Sequence, residues 1–141
     1  MNLYDQLCLA EKFINHKTLQ TLPRLVPSSS TLWYCDYEAT TIGYNLSPNS
    51  ISQHLTIITP ILKQLYNFKL TTTNVVPFLY FHELQHFLDR KRLKTNKSLM
   101  PETIYRAIST SDRPEYYYRL YKYEKRADKF ALKMLRKFKR G

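Results

Sequence analysis

Residues 75–92 read VVPFLYFHELQHFLDRKR, and the reading of this stretch governs the rest of the chain. The polar run Thr71–Asn74 precedes it, and Arg90, Lys91 and Arg92 are placed to complement a carboxyl end, so one helix is predicted from Val75 to Arg92. On that helix His82 and His86 stand four residues apart, so both imidazoles leave one face and can reach one ion. Glu83 follows about 100° further round, beside such an ion rather than bound to it. Phe81, Leu84 and Leu88 occupy another face at core spacing.

His82-Glu83-Leu84-Gln85-His86 therefore fits H-E-x-x-H, but a catalytic zinc site takes three protein ligands and keeps a position open for water. No histidine follows His86, and His16 and His54 lie upstream, where surface or core roles suit them. Asp89 and Arg92 stand where a metzincin has glycine and histidine, which argues against that group. Glu124 is the better third ligand. On a helix predicted from Pro114 to Phe138 its neighbours by spacing are Leu120, Ala127 and Ala131, which puts it at the margin of the inward face. A carboxylate buried there is costly unless it is paired or binds metal. The competing reading is a solvated glutamate among lysines. Asp128 projects from the same side one turn later.

Outward from these two helices, Leu3 to Leu22 has a 3.6-residue apolar period, ended by Pro23 and Pro27, and Ser28–Ser30 reads as loop. Leu32 to Tyr37 and Thr40 to Leu46 are rich in aromatic and β-branched residues and are joined by Glu38-Ala39, an antiparallel hairpin. Ser47 to Ser50 caps a helix running from Ile51 through Leu65, which Pro60 should kink or divide. Lys94 to Met100 reads as loop and Pro101 to Ile108 as a short helix, with Ser111-Asp112 capping the long last helix. The basic end, residues 136–141, is expected to fray. The expectation is an α+β fold in one domain, 1–141, with a metal-binding core at about 75–135.

The 141 residues and 43% apolar content suffice to bury one core without staples. Two cysteines, Cys8 and Cys35, are too few for a disulfide framework. Asp5, Glu11, Lys12 and Lys17 interrupt the first twenty residues, unlike a signal peptide, and no apolar run reaches the roughly 18 residues of a membrane span. A cytoplasmic location without membrane attachment is the expectation. The formal charge of +11 favours polyanionic or acidic partners.

His82-Glu83-x-x-His86 together with Glu124-x-x-x-Asp128 resembles the signature of the thermolysin-type gluzincins. Residues 124–131, EKRADKFA, are also similar to the E-x-x-A-[ND]-x-F-A motif of the ImmA/IrrE metallopeptidases. The likeness covers about residues 75 to 135 and departs at Gln85, where that group commonly has glycine, and in lacking room for a helix-turn-helix region. It implies a zincin-like domain with a small sheet packed on an active-site helix and a glutamate-bearing helix. It also implies one zinc ion on His82, His86 and Glu124, with Asp128 accepting a hydrogen bond from the outer nitrogen of one histidine.

The chemistry so implied is peptide hydrolysis by a metal-activated water, with Glu83 taking its proton and delivering it to the leaving amine. Arg113, Tyr116, Tyr117, Tyr118, Tyr121 and Tyr123 are candidate oxyanion stabilisers, with no choice among them. Thr40 to Leu46 reads equally as the sheet edge that pairs with a peptide substrate and as an ordinary core strand. Two alternatives stay open: a basic, tyrosine-rich module binding nucleic acid through residues 113–123, and an inactive zinc-binding protein acting through partners.

Overall fold

The computed structural model describes residues 2–15, 22–36, 38–90, 106 and 108–140. Leu7, Ala10 and Ile14 lie at helical spacing and form the buried stripe of α1 (Leu3–Asn15), whose start is capped by the Asn2 side chain accepting from the Asp5 amide at 2.8 Å. Of the helix expected to Leu22, Leu3–Asn15 is helical, Leu22 is not, and residues 16–21 lie outside the described residues.

Three short strands follow: β1 (Arg24–Pro27), β2 (Tyr34–Asp36) and β3 (Thr41–Tyr44). The β2–β3 hairpin is antiparallel as expected, pairing Asp36 with Thr41, and the Asp36 carboxylate accepts from the amides of Glu38 and Ala39 in the turn. β1 was not foreseen, because Pro23 and Pro27 mark it as a break. It pairs parallel to β3, and its place at the edge is where proline is tolerated. The sheet order is β1-β3-β2. Gly43 leaves room for the Tyr34 ring of the neighbouring strand: a Cβ there would lie 2.2 Å from that ring and would force it to move.

α2 (Pro48–Tyr66) starts at Ser47, whose hydroxyl accepts from the Ser50 amide, and ends at Asn67 in the left-handed conformation. Pro60 does not divide it. The exposed proline lies on the outer side, where losing one backbone hydrogen bond is tolerable.

α3 (Val75–Leu88) ends four residues before the expected Arg92, and the Arg90 guanidinium donates to the Phe87 carbonyl at 3.0 Å, closing the carboxyl end. Lys91, Arg92, the Lys94–Met100 loop and the start of the Pro101–Ile108 helix lie outside the described residues; Arg106 and Ile108 to Thr110 are helical. Twelve of the fourteen residues of α3 are buried, so it runs through the middle of the molecule rather than across its surface. Of the core face read from sequence, Phe81 and Leu84 are buried, but Leu88 is 38% exposed.

The long helix expected from Pro114 to Phe138 is two: α4 (Pro114–Tyr118) and α5 (Lys122–Arg140). Arg113, not Ser111-Asp112, occupies the cap position of α4. Arg119 to Tyr121 form a turn, with Leu120 and Tyr121 amides bonded three residues back. The turn lets Arg119 and Tyr121, too close in sequence to share one helical face, both go inside. At the other end α5 remains helical to Arg140, beyond the expected fraying. Phe138 of α5 meets Phe13 of α1 and Phe81 of α3 at ring-centroid distances of 5.4 and 6.0 Å, tying the three helices together. The result is an α+β fold with its core around α3. No described helix is long and apolar enough to cross a membrane.

Candidate metal centre

α3 and α5 pack against each other and bring residues 38 positions apart in sequence to one buried point. The ligand atoms of His82, His86 and Glu124 all lie within 4.8 Å of one another, and all three residues are buried. The His82 and His86 Nε2 atoms are 3.2 Å apart. Glu124 Oε1 stands 3.1 Å from the first and Oε2 stands 2.7 Å from the second.

Behind this group, His82 Nδ1 donates to Asp128 Oδ1 at 2.9 Å, so Asp128 serves His82 and not His86. With the Nδ1 proton committed, the His82 Nε2 lone pair points at the Glu124 carboxylate and the second imidazole. Electron pairs this close repel unless a positive charge sits among them. Either a proton or a cation serves. Without a metal, the proton goes to His82: burial opposes its charge, but the Glu124 and Asp128 carboxylates outweigh that and raise it to about 10. Burial would likewise raise Glu124, yet the two histidines hold it well below the usual carboxylate range. Two imidazole nitrogens and one carboxylate, with the outer nitrogen of His82 held by a second carboxylate, are a donor set that fits a divalent transition-metal ion, zinc among them.

Arg119 was missed by sequence reasoning. It is 5% exposed, donates to Asp128 Oδ1 and lies 3.2 Å from the Glu115 carboxylate. Its guanidinium offsets the charge of the fully buried Asp128 and thereby steadies the acceptor that orients His82. The only advance sign was an arginine amid an aromatic run, four residues after an acid. Two polar atoms of the group, His86 Nδ1 and Asp128 Oδ2, are buried without a partner among the described residues.

Glu83 is buried and pushed upward in pKa, chiefly by desolvation. It faces β2: its charge, after burial, is the next cause that pushes the Cys35 thiol up to about 12. His82, Glu83, His86 and Glu124 line a cleft of about 970 Å³ between β2 and α2. His54 lines it too, donating to the Thr31 carbonyl at 3.2 Å, and burial holds it below its usual pKa. No protein-family model, curated protein or solved structure matches this chain.

The six candidate oxyanion donors divide. Tyr118, Tyr116 and Arg113 line the cleft, whereas Tyr117, Tyr121 and Tyr123 do not. Tyr121 and Tyr123 are buried against each other with ring centroids 5.6 Å apart. Tyr118 lines the cleft with its ring partly exposed, and its pKa is raised, first by desolvation and then by Glu124 and Glu83. Arg113 is held at the rim by Gln64 at 2.7 Å and by stacking on Tyr116.

Of the two readings of Thr40 to Leu46, the core strand holds and the sheet edge does not, because β3 is hydrogen-bonded on both sides; among the described residues the unpaired edge beside the cleft belongs to β2. Residues 113–123 do not form one exposed basic and aromatic surface, because Arg119, Tyr121 and Tyr123 are buried.

Proposed function

We propose that the protein is a zinc-dependent metallopeptidase of the gluzincin kind, with His82, His86 and Glu124 as ligands and Glu83 as general base. The observation that carries this reading is the convergence of both Nε2 atoms and the Glu124 carboxylate on one point, with His82 oriented from behind by Asp128. Held by His82, His86 and Glu124, zinc would supply a Lewis acid for the substrate carbonyl and would acidify water toward a pKa of about 7.

The chain's own residues do the rest. Glu83, at the cleft wall beside the ligand face, takes the proton from the attacking water and returns it to the leaving amine. The Tyr118 hydroxyl donates to the oxygen that gains charge as the peptide carbon becomes tetrahedral. The edge of β2, unpaired among the described residues, offers backbone groups to an extended peptide.

Substrate preference follows from the cleft mouth. Of the seven large apolar side chains most exposed among the described residues, Leu32, Tyr34, Ile57 and Tyr118 all line this one cleft. Such clustering marks a binding surface, here for bulky apolar side chains, while Arg113 at the rim favours an acidic group nearby. Metal analysis of the purified protein tests the assignment. One zinc per chain, lost in Glu124→Ala, is the expected result; zinc retained by that variant overturns the ligand set.

A further inference from the structure

α5 turns one face to the site, and its opposite face carries a second feature. All eight of its described exposed residues are lysine or arginine. Its two acids, Glu124 and Asp128, are both buried in the metal centre. Lys125, Lys129, Lys133 and Lys137 form a row at four-residue spacing, flanked by Lys122, Arg126 and Arg136. At 3.6 residues per turn these seven fall within an arc of about 120°, along about 22 Å of helix. Among the described residues only Arg126 has a carboxylate partner, Asp89, at 2.9 and 3.1 Å.

An ordinary solvated helix face mixes signs, because like charges at i,i+4 repel and cations near the amino end oppose the helix dipole. This face repeats the unfavourable choice at every turn. A line of cations of this length spans about six nucleotides of one duplex strand at roughly 3.4 Å each. It exposes no aromatic ring on which unpaired bases would stack. Nor does it expose an apolar side chain to enter a membrane or to anchor a protein interface, since the apolar face of α5 is packed inside the molecule.

We propose that the outward face of α5 docks the phosphate backbone of double-stranded DNA without reading its bases. This surface is separate from the cleft and stands whether or not the peptidase reading holds. The test is fluorescence anisotropy of the full chain with two duplexes of unrelated sequence across a salt series. Both should bind equally, with log affinity falling linearly in log salt at about 0.9 per phosphate contacted. Lys125→Gln/Lys129→Gln/Lys133→Gln should flatten the slope by about 3, and the matching triple arginine variant should restore it. Circular dichroism and zinc content should be unchanged in both. A slope identical in wild type and the glutamine variant overturns the proposal. So does tighter binding, through the same lysines, of polyglutamate or of phosphatidylserine vesicles, which would assign the face to an acidic protein or to a membrane.

Discussion

α3 and α5 both contribute to the candidate metal centre and are built on opposite plans. α3 is buried nearly all round and brings two imidazoles and Glu83 on a helix with no solvent face to speak of. α5 is divided cleanly, with apolar residues, Glu124 and Asp128 inside and only cations outside. The difference separates two jobs. Twelve of the fourteen residues of α3 are buried in packing or at the site, so most changes there reach the centre, whereas α5 carries a candidate ligand on one side and leaves the other open to a second use.

The sharpest way to break this comparison is to change chemistry on α3 without changing its packing. Glu83→Gln is nearly isosteric and cannot accept a proton, so peptide hydrolysis should fall by about 10²- to 10⁴-fold with zinc content unchanged. His86→Ala should lose zinc and hydrolysis together. Cleavage of a peptide library and metal content, measured side by side, separate the two roles; full activity in Glu83→Gln would exclude it as the base.

Packing gives the next largest contrast. Phe81 is fully buried between Phe13 and Phe138, and Phe81→Ala should cost about 3–5 kcal/mol, a large share of the roughly 5–15 kcal/mol that hold a domain folded. Lys133→Ala on the outside of α5 should stay within about 0.5 kcal/mol. Urea unfolding with equal m-values reads both. Comparable losses would mean that the outer face of α5 is covered after all.

Inside the site, Asp128→Asn probes what α5 does for a ligand on α3. Asparagine keeps an oxygen near His82 Nδ1 but loses the charge, and it leaves Arg119 buried beside a neutral group. Zinc affinity should drop about 10- to 100-fold, measured by competition with a chelator. An unchanged affinity would make Asp128 merely a counter-charge for Arg119.

The two helices were also legible in opposite ways. The four-residue spacing of His82 and His86 identified α3, although its burial all round left too little periodicity to tell which of its faces was inside, and Leu88 was misplaced accordingly. The apolar spacing of α5 placed Glu124 at an inward margin, yet nothing local indicated the turn at Arg119–Tyr121, because it arises from burying Arg119 against Asp128, nine residues away. β1 was hidden for a related reason. Pro27 within it and Pro23 before it forbid a central strand but not an edge one, and only the partner β3 decides between these.

The smallest effect tests why the outer face of α5 has one sign. Lys129 stands four residues from both Lys125 and Lys133, so Lys129→Glu turns two like-charge pairs into two opposite-charge pairs. Each pair shifts helix stability by about 0.2–0.5 kcal/mol, and the glutamate lies on the favourable, amino-terminal side of Lys133. The variant loses two repulsions and gains two attractions, so it should be more stable than the wild type by about 1–2 kcal/mol at low salt, with the gain fading as salt screens it. Thermal unfolding across a salt series measures this. A gain in stability accompanied by loss of duplex binding would show that the cations are kept against the interest of the fold, for the partner they meet. A loss of stability would mean that Lys129 has a structural partner, and the one-sign face would then need no ligand to explain it.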